Sequence, residues 1–287
     1  MKLSSTFFAL LCAATAIARP DGTGLARRME ERSKYGPITK PNRSGSGGPM
    51  VPANFTDGSV PNTNGTASQY YTTNWAGAII TAPPSGETFN IVMAEFVVPV
   101  PQPPTTGAGV WYGTAWVGID GFTYTSAILQ TGIDWGVEVF ADGSVAYGYW
   151  AWYEWYPNGW SDFNLSVSGG DKVELLVEAL STSVGYCAII NQNTDISVSE
   201  QLTAPSTSSY LEGKNAEWIV EDFTSGGLVD FANFGSVTFT QTMAVAGNTN
   251  VPANASSAST CDIVGSLGQV VTSVSFPGTN EVTVTYI

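Results

Sequence analysis

An unusually aromatic stretch of the chain reads YGYWAWYEWY at positions 147–156 and is followed at once by a Pro-Asn-Gly turn. On a β-strand successive side chains point to opposite faces. Trp152 and Glu154 therefore share one face, and Tyr153 and Trp155 share the other. One face is expected to join the core, and the other, with a carboxylate among aromatic rings, suits the floor of a cleft. The alternative, in which both faces are core and Glu154 is a buried acid, stays open.

Short runs of the same strand type continue on both sides of this stretch, from residue 69 to the end of the chain. Turn signals such as Asp142-Gly143 and Pro277-Gly278 separate them, and no convincing helix longer than one or two turns is found. Strand, turn and strand in this succession predict a single all-β domain, an antiparallel sandwich or barrel, over residues 69–287. Examples of the predicted strands are 74–81, 89–98, 115–119, 144–156, 172–180, 236–242 and 282–287.

The composition limits the kinds of catalytic and binding site that the chain can form. The 287 residues include 24 Asp and Glu, 10 Lys and Arg, and no His. A chain without His cannot form a Ser-His-Asp triad, a Cys-His dyad or a His-ligated zinc site. From residue 69 onward twenty acidic residues face two basic ones, a formal charge of −18, which argues against nucleic-acid binding. This charge indicates either adaptation to acidic surroundings or simply a soluble, acidic secreted protein.

The N-terminal part has a different character. Residues 1–18 resemble a secretory signal peptide, with Lys2, a short apolar run from Phe7 and the small-residue site Ala16-Ile17-Ala18. The run is too short for a membrane span, so a secreted, extracellular protein with no membrane anchor is predicted. Residues 19–68 are rich in Gly, Pro, Ser and Asn and carry a net charge of +3. They are interpreted as a removable pro-segment lying on the acidic domain, or alternatively as a disordered tail.

Secretion affects two further residue types. Once the signal peptide has left, Cys187 and Cys261 remain as an even pair in an oxidising compartment, and a disulfide between them is predicted. Asn164 and Asn254 begin Asn-X-Ser sequons in the domain and are candidate glycosylation sites.

Without His, the candidates for chemistry are carboxylates and amides. In the run 215–223, strand alternation places Glu217 and Glu221 on one half-apolar face, and a buried carboxylate is costly enough to need a reason. A solvated acidic face on an edge strand is the alternative. Gln130-Thr131-Gly132 occupies a context in which aspartic peptidases have Asp-Thr-Gly. An amide cannot take a proton from water, but it can donate hydrogen bonds to a developing oxyanion.

These segments together resemble the glutamic peptidases, or eqolisins. Five blocks match in the family's order, and the resemblance extends over nearly the whole domain. It implies a sandwich of two bent antiparallel seven-stranded sheets, concanavalin-like or jelly-roll-like, and a secreted acid endopeptidase that acts on proteins or peptides without metal or cofactor, as a monomer. The blocks are residues 74–79, 115–121, 126–135, 151–157 and 215–223.

The resemblance also assigns roles. Gln130 matches the catalytic glutamine of the family and Glu221 its catalytic glutamate. A further set is expected to line or support the substrate cleft: Trp75, Trp116, Asp120, Asp134, Trp152, Glu154 and Tyr156.

Two other functions stay open on the residues alone. A β-sandwich glycoside hydrolase could use paired carboxylates such as Glu154 and Glu221 beside tryptophan platforms. A lectin-like carbohydrate-binding protein could use the tryptophan cluster as a sugar platform. The Gln130 block argues against both, because neither function needs it.

Overall fold

The computed structural model describes residues 40, 48–53, 68–105, 107–225 and 228–287. The expected signal peptide and most of the basic segment 19–68 lie outside the described residues. Within them the chain forms sixteen β-strands and one turn of 3-10 helix, and no helix there is long and apolar enough to cross a membrane. The elements are Gln69–Thr72 (β1), Trp75–Ile80 (β2), Phe89–Val97 (β3), Gly109–Ile119 (β4), Ile128–Val139 (β5), Val145–Tyr156 (β6), Ser161–Asp162 (β7), Lys172–Ala179 (β8), Val184–Asn191 (β9), Ile196–Thr203 (β10), the 3-10 turn Thr207–Ser209, Ala216–Glu221 (β11), Ser236–Ala246 (β12), Thr249–Val251 (β13), Ser259–Ile263 (β14), Thr272–Ser275 (β15) and Val282–Tyr286 (β16).

The strands form two sheets, which confirms the predicted all-β sandwich. Sheet 1 has the order β1-β14-β2-β11-β4-β5-β6-β7, and sheet 2 has the order β10-β9-β8-β3-β12-β16-β15, with β13 added beside β12. Each sheet therefore has eight strands in the described part of the chain, not seven. Two of the strands are very short: β7 has two residues and β13 has three.

One pairing departs from the antiparallel pattern. β14 lies between β1 and β2, is antiparallel to β2 and is parallel to β1. The reason is that the chain reverses between β1 and β2, at Thr73 and Asn74, so that a strand inserted between them must run parallel to one of the two. The side-chain oxygen of Thr72 closes this reversal by accepting the backbone N–H of Trp75 at 2.8 Å. The carbonyl oxygen of Asn74 accepts the backbone N–H of Asp222, the residue after β11, at 2.8 Å.

The main core lies between the sheets. In β8, Val173, Leu175 and Val177 are buried while the residues between them are only partly covered. This alternation is the consequence of the strand's two-residue period. Sheet 1 contributes Trp155 and Trp218 to the same core.

A second apolar cluster covers the other face of sheet 1, here called the outer face. Because Ala151 and Trp155 of β6 point into the main core, Trp152 points away from it, as the sequence alternation predicts. Half-buried side chains, including Met50 and Tyr156, pack against this outer cluster. Its buried members are Trp75, Ile79, Trp116, Ile128, Trp152, Ile219 and Cys261.

The predicted disulfide is wrong. Cys187 and Cys261 are both free and fully buried. Cys187 belongs to the main core and Cys261 to the outer cluster, so the backbone of sheet 1 separates the two thiols. An even cysteine count carries no information about this distance.

Candidate active site

Polar side chains interrupt the apolar outer face of sheet 1, and they come from its central strands. β11 places Glu217, Ile219 and Glu221 on this face, while Trp218 and Val220 join the main core. The alternation predicted for residues 215–223 is therefore correct, and the solvated edge-strand alternative is wrong, because β11 lies between β2 and β4 and is fully buried.

Gln130 stands in a row of residues that crosses four strands. It is paired with Glu154 on β6 and with Gly118 on β4, and Gly118 is paired with Glu217 on β11. The amide nitrogen Nε2 of Gln130 donates to Oε2 of Glu154 at 3.2 Å. Both side chains are fully buried, and this hydrogen bond orients the Gln130 amide.

Glu221 lies farther along the same face, in the row of Thr114 on β4 and Trp75 on β2. The indole Nε1 of Trp116 donates to its Oε2 at 2.9 Å. Trp116 thus fixes one oxygen of Glu221.

Trp116 links the two rows. It is paired with Ile219, in the row between that of Gln130 and that of Glu221. Its ring covers Gly118 so closely that a Cβ atom there would come within 2.9 Å of the indole and 3.4 Å of the Gln130 Cβ. Gln130 and Glu221 therefore share one face, on strands that only β4 separates, with the Trp116 indole reaching from one row to the other.

The other predicted aromatic residues surround this arrangement. The rings of Trp75 and Trp116 meet edge to face with centroids 4.8 Å apart. Trp152 donates from Nε1 to the hydroxyl of Thr114 at 3.1 Å. Tyr156 is half-buried against the cluster, and its peptide bond to Pro157 is cis.

The two predicted aspartates occupy different positions. Asp134 is buried in the row of Glu221, paired with Thr114. Asp120 directly follows β4 and has φ 66°, and its carboxylate accepts the backbone N–H groups of Glu212, Gly213 and Lys214 at 2.8, 2.9 and 2.6 Å. These bonds fix the loop that leads into β11, so Asp120 supports the site by positioning that strand.

Two further carboxyl groups beside the site have altered acidity. Burial and the nearby charge of Asp120 raise the pKa of Glu217 well above its ordinary value. Burial, Glu221 and Asp230 raise the pKa of Asp222 to about 8. Both groups are therefore neutral in acid, which limits the negative charge around Glu221.

Sequence reasoning missed the glycines that make the face possible. A Cβ atom on Gly132 would lie 2.4 Å from the carbonyl oxygen of Ala115, 2.6 Å from the Cβ of Trp116 and 2.9 Å from the ring of Trp152. Glycine within a strand often marks such a close approach, and the position of Gly132 in the Gln-Thr-Gly block was the available signal.

Residues that precede the β-domain contact this face. Met50 packs against the outer cluster. The ammonium group of Lys40 lies 4.0 Å from the centre of the Trp160 ring and pairs with Asp162. These contacts come from the segment 19–68 that the charge pattern singles out.

The two candidate glycosylation sites differ. Asn164 is exposed. Asn254 is half-buried, and its side chain closes a turn by donating to the carbonyl of Thr279 at 3.1 Å and accepting the N–H of Ser256 at 2.9 Å. A glycan is accommodated more easily at Asn164, because its side chain faces solvent. In the described ranges, no three or more Asp, Glu or Cys side chains come close enough together to hold a metal ion.

The chain is similar to known proteins over most of its length. Residues 73–286 match the Peptidase A4 family. The chain is 37% identical to aspergillopepsin-2 of Aspergillus niger over 305 aligned positions, covering 100% of both proteins. It is 35% identical to scytalidopepsin B of Scytalidium lignicola over 233 positions, covering 79% of this chain and 76% of that protein. The crystal structure of scytalido-glutamic peptidase with a transition state analog inhibitor superposes with a TM-score of 0.62 at 35% identity, covering 75% of this chain and 98% of the other.

Proposed function

Because the chain belongs to the Peptidase A4 family, the glutamic peptidases, and is therefore a peptide-bond hydrolase, we propose that it is a secreted acid endopeptidase with Gln130 and Glu221 as its catalytic dyad. The single observation that carries the proposal is the outer face of sheet 1. That face holds a buried glutamine amide and a buried glutamate on two central strands that flank β4, with Trp116 of β4 reaching between them.

Glu221 is the general base in this proposal. A glutamic acid side chain ordinarily ionises near pH 4, so it is available as a base in mild acid. With Oε2 held by Trp116, the carboxylate takes a proton from a water molecule while the water oxygen attacks the carbonyl carbon of the scissile peptide bond.

Gln130 stabilises the oxyanion that this attack creates. Its amide nitrogen carries two hydrogens, so an amide oriented by Glu154 can also donate to the oxyanion. Collapse of the tetrahedral intermediate breaks the C–N bond, and protonated Glu221 gives its proton to the leaving amine nitrogen. A carboxylic acid and an amine are the products, and the glutamate is regenerated.

The earlier parts of the chain fit a secreted precursor. In this proposal residues 1–18 are removed on secretion, residues 19–68 are a pro-segment, and residues 69–287 form the mature, monomeric enzyme. The contacts of Met50 with the outer cluster and of Lys40 with Trp160 and Asp162 support a covering role for the pro-segment.

A paired digestion tests the activity. Purified protein is incubated at pH 2–5 with a denatured protein and, separately, with polysaccharides, and the products are analysed by mass spectrometry. We expect cleavage within the protein chains and no release of sugar. Sugar release without protein cleavage would contradict the proposal and favour the glycoside-hydrolase alternative.

A further inference from the structure

A short stretch before the β-domain pairs antiparallel with β1 at the edge of sheet 1 through a single β-bridge. The N–H of Ala53 donates to the carbonyl of Tyr71 at 3.0 Å, and the N–H of Thr73 donates to the carbonyl of Val51 at 2.9 Å. Between these bonds Pro52 lies opposite Thr72. The stretch 48–53 is therefore held through its main chain, a mode of binding that places few demands on its sequence.

The side chain of Asn74 also binds stretch 48–53. Its Oδ1 accepts the N–H of Val51 at 2.9 Å, and its Nδ2 donates to the carbonyl of Pro49 at 3.5 Å. The amide thus contacts the main chain on both sides of Met50. Only 5% of the surface of Asn74 is exposed, so these hydrogen bonds are largely shielded from solvent.

Met50, the residue between these two contacts, points toward the outer face of sheet 1. Val51 is half-exposed, whereas the preceding side chain, Met50, packs against the outer cluster that contains Trp75 and Trp116. Trp75 is the cross-strand partner of Glu221, and Trp116 donates to the carboxylate of Glu221. The main chain of Asn74 also accepts from Asp222, the next residue after Glu221.

We propose that the Asn74 side-chain amide is a main-chain clamp for the substrate, and that stretch 48–53 occupies the clamp as a substrate would. The bound substrate is an extended peptide that pairs with the edge at Tyr71 and Thr73. Asn74 forms hydrogen bonds with the peptide groups on both sides of one substrate residue. The large, unbranched apolar side chain of that residue packs into the outer cluster. This inference rests on the proposed peptidase function and names a substrate-binding residue for it.

Binding of a peptide with the sequence of residues 48–53 tests the clamp without any need for activity. The protein is the full chain carrying Glu221→Gln, from which the N-terminal segment has been removed in acid by a trace of wild-type enzyme or, if that is inactive, by pepsin. The ligand is made with its normal amides and with an ester in place of the amide between Met50 and Val51, which removes the Val51 N–H. Affinities are measured by calorimetry.

We expect the ester to bind about tenfold more weakly than the amide peptide, as the loss of one buried hydrogen bond predicts. In protein that also carries Asn74→Ala this difference should nearly vanish, because the two changes remove the same bond. Asn193→Ala is the matched control. Its Oδ1 also accepts a backbone N–H, that of Lys172 at 2.8 Å, but on sheet 2, so the tenfold difference should remain.

Active enzyme provides the second arm of the test. Asn74→Ala should raise KM for peptide substrates about tenfold, whereas Asn193→Ala should leave it unchanged. Equal binding of amide and ester by the protein with Asn74 intact overturns the clamp even if no Asn74 variant folds. A difference that persists in Asn74→Ala overturns it as well. If the difference follows Asn74 but no peptide bond is cleaved, the clamp stands and the proposed function fails.

Discussion

Two glutamates on one strand face have different surroundings, and this contrast defines the first prediction. Glu221 receives a hydrogen bond from Trp116, whereas both carboxyl oxygens of Glu217 lack a hydrogen-bond partner among the described residues. Because burial keeps Glu217 protonated, a neutral amide is a close substitute there. We expect Glu221→Gln to lower kcat at least tenfold with the fold intact, and Glu217→Gln to keep most of the activity.

The test measures kcat of both variants at pH 3–4 with a denatured protein as the substrate. Circular dichroism of each variant shows whether the fold is intact. Glu217→Gln is the matched control, since it is the same substitution on the same face of β11. If Glu221→Gln kept more than a tenth of the activity and Glu217→Gln lost it, the base would be Glu217.

Gln130 defines the second prediction at this scale. Loss of one oxyanion donor costs roughly 2.7–4 kcal/mol of transition-state stabilisation, about 10²–10³ in kcat, so Gln130→Ala should lose activity by that factor. Gln130→Glu should also be poor, because it places a second carboxyl group beside Glu154, and like charges raise the pKa of one of the two. Single-turnover kinetics would measure the chemical step directly, and an active Gln130→Ala enzyme would remove the oxyanion role.

At the scale of the element, β5 depends on the absence of a side chain at Gly132. An added methyl group would meet the carbonyl oxygen of Ala115, the Cβ of Trp116 and the ring of Trp152. Gly132→Ala should therefore destabilise the protein by about 3 kcal/mol, the upper end of the usual cost of overpacking. Gly159 has open space around its Cβ position, so Gly159→Ala should leave the thermal midpoint nearly unchanged. Similar midpoints for the two variants would contradict this account of β5.

The strands also show which structural features could be predicted from the sequence. The faces of β6 and β11 were predictable because the two-residue period places each side chain without knowledge of its neighbours. The pairing of β1 with β14 was not, because it joins residues about 190 positions apart and local periodicity does not report long-range partners. The free thiols of Cys187 and Cys261 and the role of Asn74 were missed for the same reason.

The molecule as a whole should be more stable in acid than at neutral pH. Burial raises the pKa of Asp222 to about 8 and, as the larger of several effects, that of Asp262 to about 6, and it raises that of Glu217 as well. The folded state therefore binds these protons more tightly than the unfolded state, whose carboxyl groups titrate near pH 4. The stabilisation that comes from these protonated groups is fully present below about pH 4. It is lost as pH rises through 6, where Asp262 ionises, and then through 8, where Asp222 ionises.

Thermal unfolding of the processed Glu221→Gln protein between pH 4 and pH 8 checks this. The midpoint should fall by several degrees, since each kcal/mol moves it by roughly 2–4 °C in a domain of this size. Asp262→Asn should flatten the part of the fall between pH 4 and pH 6. A midpoint that rises toward pH 8 would show that the sign is wrong.

Charge also governs the behaviour that we expect of the proposed precursor. The basic segment 19–68 and the domain with formal charge −18 attract each other at neutral pH, as the pairing of Lys40 with Asp162 illustrates. Near pH 3–4 the carboxylates lose their charge and the contact weakens. Purified precursor should stay intact at pH 7 and shorten in acid to a chain that starts at about residues 55–70, as N-terminal sequencing would show.

The Glu221→Gln precursor is the control for this prediction. It should not shorten alone in acid, and if it did, self-processing would be wrong. High salt at pH 7 should loosen the segment, because exposed ion pairs are screened. Resistance of the segment to salt would contradict the electrostatic part of the explanation.

The pairing of stretch 48–53 with β1 also has a consequence for solubility. Its loss opens the outer backbone edge of β1, and an open edge is a template for pairing with another molecule. In acid this happens when the charge that keeps molecules apart is smallest. The edge is limited, however, because β1 has only four residues. If the segment is removed as proposed, the short length of β1 protects the processed protein against aggregation, a protection that the precursor does not need.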